Sequence, residues 1–184
     1  MARIYALVGM CGAGKSVAAA WFEKQGVPGV YFGRLTLAEL SRRGLAPTPE
    51  NERSLREELR RVHGMAAFAT LSIPRLRELT ASHPGVYIDG LYSWEEYTTL
   101  RKEFGPGLTL LHIWTDKALR YERLARRAER PLSPAEAASR DLNEIEKLAK
   151  GGPIAYADLT LVNHGTPEAL ASALDAAVRG PHPC

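Results

Sequence analysis

The sequence predicts an α/β protein, a three-layer sandwich in which a parallel β-sheet is covered by helices on both faces. Short apolar runs alternate with longer helical segments along the 184-residue chain. Such alternation is typical of parallel strands joined by crossover helices. The first apolar run also ends in a glycine-rich turn that leads into a helix. Ligands of α/β proteins bind at this carboxyl edge of the sheet.

Two predicted strands and four predicted helices make up the first half of the chain. An apolar, β-branched run predicts the first strand, and an Ala-rich segment that ends near Gly26 predicts the first helix. The second strand is short and is interrupted by Pro28. Three helices follow, and Thr48 with Pro49 gives one of them an N-cap and a first residue. The strands are 3–9 and 27–33, and the helices are 15–26, 36–44, 48–64 and 65–82.

Three more strands alternate with helices in the second half. The run that ends in Thr115 and Asp116 is the longest apolar one and predicts an inner strand. Either of these residues is a suitable cap for the next helix, which Pro131 and Pro134 then break. The strands are 85–91, 108–116 and 157–163, the helices are 94–104, 117–130, 133–152 and 166–180, and the tail 181–184 is expected to be disordered.

Composition limits the class of protein. Hydrophobic residues make up 45% and charged residues 24% of the chain, which is ordinary for a globular domain. We expect one domain spanning 1–184, with a helical insert at about 35–82 and a short distinct segment at about 126–142. No apolar run approaches the roughly 20 residues of a membrane helix. The net charge of +3 favours anionic partners without requiring nucleic acid.

Cysteine usage and the start of the chain fit a cytoplasmic protein. The two cysteines, Cys11 and Cys184, suggest no disulfide framework, and no Cys and His spacing suggests zinc. The apolar start is short and ends in the glycine turn, so we do not expect a signal peptide. A monomer or a homodimer is expected, without membrane association.

The stretch GMCGAGKS, residues 9–16, fits the phosphate-loop pattern G-x-x-x-x-G-K-[ST] and has a strand before it and a helix after it. Its backbone N–H groups and the helix N-terminus would hold phosphate oxygens. Lys15 would reach the β- and γ-phosphates of ATP, and the Ser16 hydroxyl would bind Mg²⁺. Cys11 is either a small residue that fits or a redox site. The predicted nucleotide-binding residues in this stretch are Gly9, Gly12, Ala13, Gly14, Lys15, Ser16 and Val17.

Asp89 ends the third predicted strand. A carboxylate at this place, in the manner of a Walker B motif, could hold Mg²⁺ through water. It could instead accept the proton of an attacking hydroxyl, or simply cap the next turn. No glutamate adjoins it, which counts against a hydrolytic motor.

Arginines recur in the stretch RYERLARRAER, residues 120–130. Helical geometry would place Arg120, Arg123, Arg127 and Arg130 near one face, where they could clamp a phosphoryl group in transfer. The other interpretation is a solvated basic face. Arg140 is a further candidate, and Arg123, Arg127 and Arg140 are the predicted catalytic arginines beside Lys15 and Asp89.

Other candidates lie on the acceptor and base sides of the predicted cleft. We expect the arginine-rich insert, about 35–82, to bind the acceptor of the phosphoryl group, and the segment at about 126–142 to act as a lid. The insert region and the turn after Asp89 supply Arg34, Arg56 and Tyr92 as acceptor-binding candidates. Asn163 and His164 follow the last strand and are candidates for contact with the purine of the nucleotide. A histidine in this position is more often an ordinary loop residue.

The sequence resembles the nucleoside-monophosphate-kinase branch of P-loop proteins, which includes dephospho-CoA kinase and adenylate kinase. It is most similar to a mostly archaeal family of predicted nucleotide kinases related to dephospho-CoA kinase. The stretches VGMCGAGKS, RRGLAPTPEN, REELRRVHGMAAFATLSIP, YIDGLYSWEEY, RYERLARR and ADLTLVNHGT carry the resemblance and span nearly the whole chain.

The resemblance implies an ATP- and Mg²⁺-dependent phosphotransferase with a five-stranded parallel sheet in the order 2-3-1-4-5. It also implies the roles given above for Lys15, Ser16 and Asp89, and places lid arginines within 120–130 and at Arg140. Two departures fall on the acceptor side. Arg34 stands where this family tends to have an acidic residue after the second strand, and Tyr92 stands where it tends to have arginine.

We therefore predict a kinase that moves the ATP γ-phosphate to a nucleotide-like acceptor. A phosphate acceptor needs no general base, whereas a hydroxyl acceptor such as dephospho-CoA would rely on Asp89. A kinase of a modified base or end in nucleic acid is a less favoured alternative, motivated by the basic insert. A nucleotide-dependent binding switch is the alternative from another class, although the N-K-x-D guanine motif of GTPases is missing from the sequence.

Overall fold

A five-stranded sheet forms the middle layer of the computed structural model, which describes residues 2–180. Its strands are β1 (Arg3–Val8), β2 (Gly29–Tyr31), β3 (Gly85–Asp89), β4 (Leu108–Trp114) and β5 (Leu159–Val162). The strand order is β2-β3-β1-β4-β5, and every pairing is parallel. The predicted fold class and strand order are confirmed. The tail at 181–184, with Cys184, was expected to be disordered and lies outside the described residues.

Helices cover both faces of this sheet. Within residues 2–180 they are α1 (Lys15–Lys24), α2 (Gly33–Arg42), α3 (Pro49–His63), α4 (Ala67–Ser82), α5 (Trp94–Phe104), α6 (Lys117–Ala125), α7 (Pro134–Glu146), α8 (Gly151–Ala155) and α9 (Pro167–Arg179). A single 3-10 turn, Gly105–Gly107, leads into β4. None of the described helices has the length and apolar character to cross a lipid bilayer.

Side chains of the central strand β1 point alternately into two apolar cores. Ile4 and Val8 pack on the face covered by α4 and α5. Tyr5 and Leu7 pack on the opposite face, against α1 and α9. Burial on both faces is what a parallel sheet with crossover helices requires. The carboxyl ends of the strands are thereby left as the accessible edge on which loops can build a site.

Capping explains where several helices begin. Thr48 accepts a hydrogen bond from the backbone N–H of Asn51 at 3.2 Å, and Pro49 is the first residue of α3, as predicted. Of the two candidate caps for α6, Asp116 is the one used, and its carboxylate accepts from the N–H of Leu119 at 2.9 Å. Local sequence therefore determines these helix starts.

The predicted helix 117–130 was too long. Helix α6 ends at Ala125, and Arg127 and Arg130 lie in the irregular segment that follows it. The chain turns back there, because the N–H of Leu132 donates to the carbonyl of Leu124 at 3.1 Å and Arg130 adopts a positive φ of 49°. The expected single arginine face is therefore wrong for Arg127 and Arg130.

The predicted helix 133–152 is also divided. Helix α7 ends at Glu146, and a separate short helix, α8, begins at Gly151. Ala149 has a positive φ of 50°, which a continuous right-handed helix cannot accommodate, and the N–H of Lys150 donates back to the carbonyl of Glu144 at 3.1 Å. This turn brings Lys150 to the cleft.

Candidate active site

The phosphate loop joins β1 to α1 at the carboxyl edge of the sheet. Gly12 and Gly14 have φ angles of 82° and 106°, a region that side-chain-bearing residues rarely adopt. A Cβ atom on Gly12 would come within 2.8 Å of the carbonyl oxygen of Arg120. One on Gly14 would collide with the side-chain amide of Asn163. Glycine is thus required for this cradle, which fits a bound phosphate chain.

Lys15 lies at the first position of α1, with its side chain folded over the loop. Its Nζ donates to the carbonyl oxygens of Gly9 at 2.7 Å and Met10 at 3.1 Å. Burial, with a further contribution from the charge of Lys150, lowers the pKa of Lys15 to about 8. Within residues 2–180 the hydrogen bonds of this ammonium go to backbone carbonyl oxygens, and a phosphate would be a stronger acceptor.

Asn163 and Thr115 hold the loop from the turns that follow β5 and β4. The Asn163 side-chain amide donates to the carbonyl of Ala13 at 2.8 Å, and the Thr115 hydroxyl donates to the same carbonyl at 3.1 Å. Asn163 was predicted to contact the nucleotide. The structure directs its amide to the loop backbone, so Asn163 positions the cradle.

A buried ion pair that the sequence did not reveal supports the loop from a third side. Arg120 is 6% exposed and Asp141 is 7% exposed. The Arg120 guanidinium donates to both Asp141 carboxylate oxygens, at 3.0 and 2.7 Å, and to the carbonyl of Cys11 at 2.9 Å. Cys11 itself packs against Leu124 and Ala137. No local pattern links residues 120 and 141, so only the fold shows this pairing.

Arg123 and His164 lie together near the turn after β5. Arg123 donates to the carbonyl oxygens of Asn163 at 3.1 Å and Gly165 at 3.2 Å. The His164 ring lies 5.0 Å from the ring centroid of Trp114, and its Nε2 is 3.3 Å from an Asp116 carboxylate oxygen. These contacts place Arg123 at the turn that was predicted to bind the purine.

Asp89 ends β3 and pairs in register with Leu7 of β1 and Tyr31 of β2. Burial raises its pKa above the ordinary value for aspartate, although the positive charge of Lys15 acts in the opposite direction. A carboxylate in this environment can take up a proton more readily than an exposed one. Asp89 is therefore chemically suited to either predicted role, magnesium binding or proton acceptance.

The two groups that were predicted to bind Mg²⁺ lie at the ends of adjoining elements. The Ser16 hydroxyl lies in the first turn of α1 and is exposed, and the Asp89 carboxylate lies at the end of β3. Mg²⁺ is typically held by one or two protein oxygens, with water and substrate phosphates as its remaining ligands. Among residues 2–180, no group of three or more His, Cys, Asp and Glu side chains could hold a metal ion.

A cavity of about 310 Å³ adjoins Asp89 on the side of α1 and the edge strand β2. It is lined by Ala19, Glu23, Gly29, Tyr31, Arg34, Tyr87 and Asp89. The Tyr87 hydroxyl donates to the Glu23 carboxylate at 2.8 Å, and burial together with this bond raises the pKa of Tyr87. The structure thus brings the predicted acceptor residue Arg34 and Asp89 to one cavity.

The other acceptor candidates, Arg56 and Tyr92, do not line this cavity. Arg56 lies on α3, where it pairs with Glu52 at 3.2 Å. Arg130 pairs with the same carboxylate at 3.1 Å, so the segment that follows α6 touches α3. The ammonium of Lys150 lies over the Tyr92 ring, 4.3 Å from the ring centroid. Arg127 is exposed in the segment after α6.

Arg140 lies on α7 and meets a lysine that the sequence did not single out. Its Nε donates to Glu144 at 3.1 Å, and Lys150 donates to the other Glu144 oxygen at 2.6 Å. Lys150 is only 1% exposed. In the sequence it belongs to an apparent helix end, KLAKGG, which gives no sign of a buried charge.

Comparisons with known proteins place this site in a family. No protein-family model matches the chain. A UPF0200 protein of Thermococcus sibiricus is 36% identical over 163 residues, which cover 87% of this chain and 85% of that protein. The chain belongs to the UPF0200 family. A UPF0200 protein of Methanosarcina barkeri is 33% identical over 146 residues, 79% of this chain and 73% of that protein.

The fold of this UPF0200 protein is also that of P-loop kinases. A shikimate kinase from Bacteroides thetaiotaomicron superposes with a TM-score of 0.61 at 15% identity, over 97% of this chain and 99% of that one. The predicted membership of an archaeal family with a P-loop kinase fold is confirmed. The particular relation to dephospho-CoA kinase and adenylate kinase stays a prediction.

Proposed function

We propose that this UPF0200 protein is an ATP- and Mg²⁺-dependent kinase that transfers the γ-phosphate to a small, nucleotide-like acceptor. One observation carries the proposal: the glycine cradle with Lys15 and the cavity edged by Asp89 share one edge of the sheet. A donor site and an acceptor site so placed can hold two substrates in line for transfer. The kinase fold of the structural neighbours supports this assignment.

The donor side follows from the loop. Backbone N–H groups of the loop, from Gly9 to Val17, would hold the phosphate chain, and Lys15 would exchange its carbonyl partners for the β- and γ-phosphate oxygens. The Ser16 hydroxyl and Asp89 would hold Mg²⁺, which neutralises charge that develops on the phosphates. Arg123 and His164 would border the purine from the turn after β5.

The transfer itself needs little covalent chemistry from the protein. An acceptor oxygen forms a bond to the γ-phosphorus as the bond between that phosphorus and the β–γ bridging oxygen breaks, and ADP leaves. Arg140, with Arg127 from the segment after α6, would stabilise the charge of the group in transfer. In this proposal 1–184 is one domain, residues about 35–82 bind the acceptor, and residues about 126–142 close over the phosphates.

A hydroxyl acceptor is the second candidate. The raised pKa of Asp89 beside the cavity favours it, because such a carboxylate can accept the proton that a hydroxyl loses on attack. Two structural neighbours are a shikimate kinase and a gluconokinase, and shikimate and gluconate both carry hydroxyl groups. A phosphate acceptor would leave Asp89 with the magnesium role alone.

Transfer of radiolabel tests the proposal. Purified protein is incubated with Mg²⁺ and ATP labelled in the γ-phosphate, against nucleoside monophosphates, nucleosides, dephospho-CoA, sugars and shikimate. We expect label in one acceptor class, and its loss in Lys15→Met. Lys24→Met is the matched control, because Lys24 is exposed at the far end of the same helix. Absence of transfer to every acceptor, although ATP binds, would overturn the proposal.

A further inference from the structure

Lys150 is buried in the turn that joins α7 to α8, although nothing in its local sequence requires a charge there. It is 1% exposed, and its Nζ donates to Glu144 at 2.6 Å. Its ammonium also lies 4.3 Å from the ring centroid of Tyr92, which follows β3. Burial of an ammonium is costly unless it is paired, and one carboxylate with one aromatic face is the pairing found.

The Glu144 carboxylate is shared between two cations. Arg140 donates to one oxygen at 3.1 Å and Lys150 to the other at 2.6 Å. The Lys150 charge lowers the pKa of Lys15, while the Glu144 charge raises it. The charge of Lys150 likewise acts on Asp89. This cluster therefore shares one electrostatic environment with the phosphate loop and with the end of β3.

Two lysines in one buried cleft repel each other. Three positive groups, Lys15, Lys150 and Arg140, face two carboxylates, Glu144 and Asp89. If the buried Lys150–Glu144 ion pair served only to fill space, apolar side chains of similar volume would give equal or greater stability. A surplus of positive charge beside a glycine cradle is instead what a multiply charged anion would neutralise.

We propose that Lys150 is a second phosphate-binding lysine of the cleft, which contacts the phosphoryl group in transfer, and that Glu144 holds its ammonium until the triphosphate takes the place of the carboxylate. This inference rests on the proposed kinase function. Burial lowers the pKa of Lys150, although the adjacent Glu144 carboxylate acts in the opposite direction. In this role Lys150 donates hydrogen bonds and transfers no proton. Lys150 contacts Tyr92, a predicted acceptor-side residue, and its charge lowers the pKa of Lys15 on the donor side. It would therefore meet the γ-phosphate as that group passes from donor to acceptor.

Calorimetric titration with Mg²⁺ and either ADP or AMP-PNP, a triphosphate that does not transfer its γ-phosphate, tests this role. We expect Lys150→Met to weaken AMP-PNP binding by about 10- to 100-fold, the range for a lost charged hydrogen bond, and to leave ADP binding within about threefold. Glu144→Gln should strengthen AMP-PNP binding, because it frees Lys150. Lys147→Met is the matched control, since Lys147 is an exposed lysine three residues earlier in the chain.

The double variant Lys150→Met/Glu144→Gln decides between a ligand contact and a structural ion pair. It leaves no unpaired buried carboxylate, so its thermal midpoint should approach that of the unaltered protein even where Lys150→Met alone does not fold. If Lys150 binds phosphate, the double variant folds but still binds AMP-PNP weakly. Recovery of AMP-PNP affinity in the double variant, or equal losses for ADP and AMP-PNP in Lys150→Met, overturns the inference.

The two proposals fail separately. If the unaltered protein binds AMP-PNP and transfers phosphate but the variants at 150 and 144 do not change triphosphate affinity, only the role of Lys150 is wrong. If the unaltered protein binds neither nucleotide, the kinase function itself is overturned, and the role of Lys150 with it.

Discussion

The side-chain amide of Asn163 donates a hydrogen bond to the carbonyl of Ala13, 2.8 Å away across the top of the sheet. Asn163 is only 6% exposed, and the two residues are 150 positions apart in the chain. The last strand therefore helps to set the shape of the loop that follows the first. Nucleotide binding should accordingly depend on a residue that need not touch the nucleotide.

Substitution of Asn163 should loosen the phosphate loop. We expect Asn163→Ala to lower the free energy of unfolding by about 0.5–1.5 kcal/mol, because the Ala13 carbonyl loses one hydrogen bond and keeps the one from Thr115. Asn163→Asp should be worse, since it sets an oxygen against the Ala13 oxygen. Urea denaturation and ATP titration measure both effects, with Ser172→Ala, at an exposed site, as control. Unchanged ATP affinity in both variants would contradict the positioning role.

Gly14 and Gly44 offer a matched pair for the cradle. Both have positive φ, 106° and 68°, but only at Gly14 would a Cβ meet another group, whereas around Gly44 nothing lies within 4 Å. Gly44→Ala should cost about 1 kcal/mol of stability through backbone strain and leave ATP binding intact. Gly14→Ala should abolish ATP binding. Equal effects of the two variants in a binding titration would argue against a preformed phosphate cradle.

The Arg120–Asp141 pair should dominate the stability of the cleft. We expect Arg120→Met to lower the free energy of unfolding by about 3–5 kcal/mol, because the buried Asp141 charge loses its partner. Arg126→Ala is the control. It breaks an exposed pair with Glu122, which should be worth about 1 kcal/mol or less. Chemical denaturation compares them, and similar losses in the two variants would show that the buried pair is unimportant.

The lowered pKa of Lys15 predicts a pH dependence with a definite sign. The pKa falls from 10.5 to about 8 on folding, so the unfolded chain binds more protons between these values. The contribution of Lys15 to stability is therefore complete above 10.5 and is lost as the pH falls through about 8.

ATP binding should reverse this shift, because a phosphate favours the charged lysine. At pH 8 we expect proton uptake on binding, measured by calorimetry as a binding enthalpy that varies with the ionisation enthalpy of the buffer. Lys15→Met should bind weakly and without that uptake. A buffer-independent enthalpy in the unaltered protein would contradict the assigned pKa.

The predictable parts of the site are those where one short stretch of sequence determines both the local backbone structure and the chemical groups. The glycine loop followed by Lys15 and Ser16 is such a pattern, and so is Asp89 at the end of an apolar strand. Strand order followed from a resemblance that spans most of the chain. These features need no knowledge of distant contacts.

Long-range contacts account for what was missed. Arg120 looked like one arginine among several, yet the fold buries it against Asp141. A single helix was expected over 133–152, but the positive φ of Ala149 interrupts it. This interruption is what allows Lys150 to be buried. A prediction from helical periodicity is valid only while the helix continues. Where the backbone reverses direction, the prediction places side chains on the wrong face.

Glu52 links helix α3 to the segment after α6. Its carboxylate is divided between Arg56 on α3 and Arg130 in the segment after α6. An anion that bound Arg56 would leave Glu52 to Arg130 alone. Thermodynamic reciprocity then requires that a stronger contact between Glu52 and Arg130 tighten the hold of Arg56 on the anion. Because both arginines are at least partly exposed, we expect this linkage to be about 1 kcal/mol. In the proposed kinase it would bias the order in which two substrates bind without enforcing it.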